Sequence, residues 1–174
     1  VVPRRPFAVN VADIWRSGRD QREQRTGVIS AVTSGSSVPP DEAVTVEVVL
    51  HAAGGRAVEV VGTVRAPWTG ECRRCLRTVI GELEAAIDHE LFVEDPDELS
   101  YALADDEIDL EPLARDAVLL ELPLAPLCRE DCQGLCAQCG ADLNEGECGC
   151  SPPPDPRWAA LDALRDGGEQ RRQS

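Results

Sequence analysis

Residues 79–93 read VIGELEAAIDHELFV, and their alternation sets the architecture. Val79, Leu83, Ala85, Ile87, Leu91 and Val93 fall on one side of an extended chain. Glu82, Glu84, Asp88 and Glu90, with Glu94 beyond, fall on the other. A period of two held this long demands a strand with one buried face, in a sheet that curves. Upstream, Val44, Val46, Val48 and Leu50 alternate with Thr45, Glu47 and His51. Gly54-Gly55 makes a turn, and Val58, Val60, Val64, Ala66 and Trp68 share the next apolar face. The expected fold is α+β and mainly β: a curved antiparallel sheet or small barrel-like meander, two short helices and a C-terminal zinc-ribbon-like segment. His89 lies on the apolar side and is expected as a satisfied core residue rather than a ligand.

Outward from the sheet, Thr33–Pro40 (TSGSSVPP) reads as a polar connector. Glu94–Glu107 reads as a mobile acidic loop. Asp109 is the expected N-cap of a helix with Glu111 and Pro112 in its first turn. Leu113, Ala117 and Leu120 form its apolar stripe, and Pro123 ends it. A second helix is expected from Asp155, with Trp158, Leu161 and Leu164 as its stripe and Gly167-Gly168 as its stop. The chain therefore divides into an N-terminal arm and connector (1–40), the antiparallel sheet with acidic loop and helix (41–131), and a cysteine-rich zinc segment with a C-terminal helix (132–174).

The 174 residues are 43% hydrophobic but only 3% aromatic, so aliphatic side chains must fill the core. The net charge of −15 argues against broad binding to a nucleic-acid backbone while allowing a local basic contact. Residues 80–131 hold seventeen acids against two arginines, which suits a solvated face or a docking surface for a basic partner. No apolar run spans a bilayer, and Val1–Arg25 has no signal-peptide core, so a cytoplasmic address is expected. All 17 basic residues are arginine and there is no methionine. The first points to a GC-rich genome; the second leaves Val1 as a literal start codon or the chain as a fragment.

The eight cysteines carry the chemistry. They fall as Cys72-x2-Cys75, Cys128-x3-Cys132, Cys136-x2-Cys139 and Cys148-x-Cys150. In a reducing compartment clustered thiols bind metal more often than they form disulfides. Four close pairs suit two tetrahedral sites, each with two ligands from each of two segments. Cys136, Cys139, Cys148 and Cys150 lie within GLCAQCGADLNEGECGC, where Gly140 permits a left-handed turn and Asn144 and Gly146 supply another. That group is assigned one site. By exclusion Cys72, Cys75, Cys128 and Cys132 form the other, at a hairpin tip. A redox pair would need a thioredoxin-like strand–helix setting, which is absent. The spacings match neither common ferredoxin pattern. All-cysteine sets leave no open position for catalysis, so structural zinc, two per chain, is expected. Arg73, Arg74 and Arg77 flank the first site, either balancing its thiolate charge or forming a basic fingertip for RNA phosphate.

Together ECRRCL (71–76), ELFV (90–93), EIDLEPLARDAVLLELPLAPLC (107–128), CQGLCAQCGADLN (132–144) and DPRWAALDAL (155–164) resemble the YceD family of bacterial and plastid proteins, named for accumulation of the large-subunit ribosomal RNA. The likeness covers roughly residues 40–166 and is to an actinobacterial-type member with extra C-terminal cysteines. The resemblance implies ribosome biogenesis, concerning 23S ribosomal RNA and the 50S subunit. It implies a large-subunit ribosomal protein or pre-50S particle as partner, and no catalytic activity. Relatives lacking the C-terminal cysteines keep the C-x2-C and a second metal-capable pair, which supports Cys72, Cys75, Cys128 and Cys132 as one set. The expectation is thus a non-enzymatic, zinc-stabilised assembly factor with no membrane and no small-molecule substrate. A generic zinc-dependent adaptor in transcription or stress control and a thiol-based redox or zinc-reservoir protein are its rivals.

Overall fold

The inward residues Val44, Val46, Val48 and Leu50 all lie buried on β4 (Val44–Ala53). The computed structural model describes residues 5–151, so the helix expected from Asp155 lies outside the described residues. The chain divides into two compact units, 1–130 and 131–174. The first is built on a nearly closed, curved sheet. Its strands are β1 (Ala8–Asn10), β2 (Gln21–Gly27), β3 (Ser36–Ser37), β4, β5 (Ala57–Glu71), β6 (Thr78–Val93), β7 (Tyr101–Ala104) and β8 (Glu107–Asp109). Their order is β1-β8-β7-β6-β5-β4-β2, with β3 added to β5 beyond the reach of β4. Two helices, α1 (Ala12–Ser17) and α2 (Leu110–Glu121), complete it. The mainly β expectation holds. Among the described residues no helix is long and apolar enough to cross a membrane.

The alternation of β6 breaks once, and the break corrects the sequence reading. Val60 pairs with Glu90 but Gly62 pairs with Ile87, so Val61 stands opposite two residues, Asp88 and His89. His89 takes a left-handed backbone, φ 55°. This bulge reverses the phase of everything after it. Phe92 is therefore the core residue at 1% exposure, while Leu91 is exposed and Val93 half-buried. His89 is a surface residue, not a core one: its side chain is 75% exposed and shares a 2.9 Å hydrogen bond between Nδ1 and Glu59 Oε1. Gly62 is required at the same place, because a Cβ there would lie 2.1 Å from the Glu47 carbonyl oxygen.

Residues 1–40 were expected as an arm and connector; 7–27 instead belong to the sheet and its core. Phe7, Val9, Val11 and Ile14 are buried. β2 is silent in the sequence because QREQRTG has no apolar period; its seven residues are held by the backbone ladder to β4. Side chains bring β2 and β1 together at the open seam. Arg25 Nε donates to the Ala8 carbonyl at 3.4 Å and Gln21 Nε2 to the Asn10 carbonyl at 3.1 Å.

The expected acidic loop is half a hairpin. β7 runs parallel to β6 and turns into β8 through Asp105-Asp106, both with positive φ, as a two-residue hairpin of this hand requires. Asp109 caps α2 as expected, accepting the Glu111 N–H at 3.0 Å. The buried stripe differs. Leu110, Ala114, Val118 and the flanking Leu122 follow a row of fours with Leu113 beside it, and that row drifts away from Leu120, which is 85% exposed.

The bulge makes a contrast that ordinary alternation would reverse. Phe92→Ala is expected to lower unfolding free energy by about 3–5 kcal/mol and Leu91→Ala by less than about 1 kcal/mol. Chemical denaturation of the two variants measures both.

Candidate metal centres

The β5–β6 hairpin ends in a turn that three backbone bonds fix. Cys72 N–H donates to the Arg77 carbonyl at 2.8 Å, Leu76 N–H to the Cys72 carbonyl at 2.9 Å, and Arg73 N–H to the Pro126 carbonyl at 3.0 Å. The last bond brings the segment after α2, and with it Cys128, to the tip. Cys72 and Cys75 are buried, and Cys75 Sγ lies 3.6 Å from Cys128 Sγ. With Cys132 they make one group of four whose sulfurs all lie within 4.8 Å of one another. A tetrahedron with metal–sulfur bonds of roughly 2.3 Å has edges of about 3.8 Å, whereas a disulfide needs about 2.05 Å. The donor set therefore fits a metal ion.

Cys136, Cys139, Cys148 and Cys150 form the second group under the same distance limit. Its first turn repeats the first site's pattern. Cys136 N–H donates to the Ala141 carbonyl at 2.8 Å and Gly140 N–H to the Cys136 carbonyl at 2.9 Å. Gly140 has the left-handed backbone expected of it, φ 73°. At the equivalent place the first turn has Leu76, φ 60°.

These turns aim N–H groups at sulfur. The Cys72 thiol is lowered to about 6, first by the Cys75 backbone N–H and then by those of Cys128 and Arg74. The Cys136 thiol is lowered to about 6 by the Cys139 and Gln138 N–H groups. Cys150 is pushed up to about 12, first by its hydrogen bond with the Cys139 side chain. In each set one thiol is thus biased toward thiolate, the form that binds metal. Two cysteine tetrads could thus hold metal ions.

Asn144, read from the sequence only as a turn residue, braces the second unit. Its Nδ2 donates to Cys132 Sγ at 3.5 Å and to Asp142 Oδ1 at 2.6 Å, and its Oδ1 accepts the Gln133 N–H at 2.8 Å. Only its position between cysteine pairs hinted at this. Arg73, Arg74 and Arg77 are exposed around the first turn, and Arg74 Nη1 donates to the Glu130 carbonyl at 3.1 Å.

Residues 60–165, which include both tetrads, match the sequence model of a family described as Large ribosomal RNA subunit accumulation protein YceD. An uncharacterised protein of Mycobacterium tuberculosis is 45% identical over 113 residues, 60% of this chain and 54% of the relative. One of Mycobacterium leprae is 41% identical over 112 residues, 60% of this chain and 51% of the relative. A Zea mays protein named Large ribosomal RNA subunit accumulation protein YCED homolog 1, chloroplastic, is 39% identical over 71 residues, 40% of this chain and 24% of the relative. The chain spans about half the length of the mycobacterial relatives it matches. No solved structure matches.

Removing the brace at Asn144 tests the geometry without touching a ligand. Asn144→Ala is expected to weaken metal retention by about tenfold, as loss of a ligand's hydrogen-bond partner does elsewhere. Competition against a chelating dye reads it. Cys139→Ser is expected to abolish metal in the second set and spare the first, as elemental analysis would show.

Proposed function

The chain belongs to the YceD family, and on that premise we propose that it is a non-enzymatic, zinc-stabilised factor supporting 23S ribosomal RNA accumulation and assembly of the large (50S) ribosomal subunit. The family match across residues 60–165 is the observation that carries this reading, and the printed name of the maize relative supports it. Zinc fills both tetrads on this reading. Four thiolates without an open position suit a closed structural site, and zinc has no redox chemistry to interfere. When bound, the ion supplies cross-linking and charge neutralisation. The chain's own groups do the rest: backbone N–H groups orient Cys72 and Cys136 toward the site each would share.

The partner is a basic large-subunit ribosomal protein or pre-50S particle. Glu82, Glu84 and Asp88 are exposed on the outer face of β6, where Arg65 Nε binds Glu84 Oε2 at 2.6 Å and its Nη1 lies 3.7 Å from Glu47. One arginine among these carboxylates leaves the face acidic, complementary to a basic ribosomal protein. On this reading the protein acts in the cytoplasm.

Purification of the tagged chain from its own cells is expected to recover zinc, large-subunit proteins and precursor 23S RNA together. Depletion is expected to lower the large-subunit peak in a sucrose gradient. An unchanged peak after depletion overturns the assembly role; iron in place of zinc overturns the metal assignment.

A further inference from the structure

The two cysteine turns provide an internal comparison. The residue after the second cysteine is left-handed in both: Gly140 in one, Leu76 in the other. Glycine adopts this backbone without steric cost, whereas leucine's Cβ crowds the following carbonyl. Burial does not compensate, because Leu76 is 59% exposed. Leu76 is thus strained in its backbone and apolar in water, at the tip of the hairpin formed by the two longest strands. The turn cannot relax around it. The Cys72–Arg77, Leu76–Cys72 and Arg73–Pro126 backbone bonds hold the loop and present the side chain on a fixed platform. Backbone strain of this kind clusters at functional sites, and here it coincides with an exposed apolar side chain.

The surroundings say what it contacts. Arg73, Arg74 and Arg77 are exposed beside it, three guanidinium groups within five residues on a chain of net charge −15. On such a chain an anionic ligand is drawn to local basic points, and this tip is one of them. Guanidinium forks match phosphate oxygens, and unpaired RNA exposes base faces that an apolar side chain can cover.

We propose that the hairpin tip is an RNA-contacting surface, with Leu76 packed against a base or ribose face and Arg73, Arg74 and Arg77 on the flanking phosphates. This rests on the ribosomal reading above and names the part of the chain that touches RNA.

Leu76→Gly separates contact from stability because it relieves the backbone while removing the side chain. With the whole 174-residue chain and purified 23S ribosomal RNA as probe, the variant is expected to bind about tenfold more weakly. Its salt dependence should be unchanged, since the arginines remain. Its metal content should be unchanged, and its Tm should hold or rise by about 2 °C. Equal RNA affinity in variant and wild type overturns the proposal, as does a binding loss that merely tracks a lower Tm. Retained RNA binding with loss of co-purifying ribosomal protein makes the tip a protein contact and also overturns it. A wild-type chain that binds no 23S RNA, yet whose depletion still lowers large subunits, overturns the tip assignment alone. Depletion without effect overturns the ribosomal reading and the tip assignment with it.

Discussion

The structure depends on keeping one face of a long, curving sheet apolar while its strands stay in register. β6 has sixteen residues and at about 3.3 Å per residue spans roughly 50 Å, too far to run straight over one small core. The bulge at Asp88–His89 and the close approach at Gly62 let it bend. The bulge also fixes the facing of the last residues of β6. It turns Phe92 inward, where its ring stacks on Tyr101 with centroids 5.1 Å apart. That pair lies in the parallel match of β6 with β7, from which β8, β1 and the N-cap of α2 are built in turn. A single extra residue thus governs half of the sheet's connectivity.

Much of this was legible where chemistry leaves a local mark. Alternating valines gave β4 and β5, Gly54-Gly55 their turn, Asp109 the helix cap, and cysteine spacing both tetrads. What escaped depends on long-range partners. β2 has no apolar residue and exists because β4 offers it a ladder. The phase of Leu91 and Phe92 is set by a bulge that the residue type does not announce: histidine is enriched among non-glycine residues in left-handed positions, but most histidines sit elsewhere. The hairpin at Asp105-Asp106 looked like an acidic loop because aspartate signals turns and solvated runs alike. Leu76 could not be identified as strained until the repeated turn pattern placed it against Gly140.

Charge is arranged by the same logic. Several arginines of the first unit are used within it. Arg5 binds Glu107 and Asp109 at 2.8 and 2.9 Å, Arg56 binds Glu94 at 2.6 Å and lies over the Trp15 ring, and Arg65 binds Glu84. These pairs are exposed and each contributes little to stability. Their effect is on the pattern of charge: they blunt the acidic field along strands β6 to β8.

The two units lean on their cysteines to different degrees. In the first, a cluster of buried aliphatic and aromatic residues from Phe7 to Leu122 supplies the driving force for folding. A metal at Cys72, Cys75 and Cys128 would there fasten a tip onto a body that is already formed. Between Asp131 and Ser151 no aliphatic side chain is fully buried, and Leu135 and Leu143 are only half-buried. What orders that stretch is a set of turns, the Leu135–Asp142 bridge, the Asn144 brace and four converging sulfurs. So short a segment cannot gain enough from apolar burial to offset the entropy of ordering it. A metal bound there would supply folding free energy, so the same ligand chemistry would be local reinforcement at the hairpin tip and the principal source of order in residues 131–151.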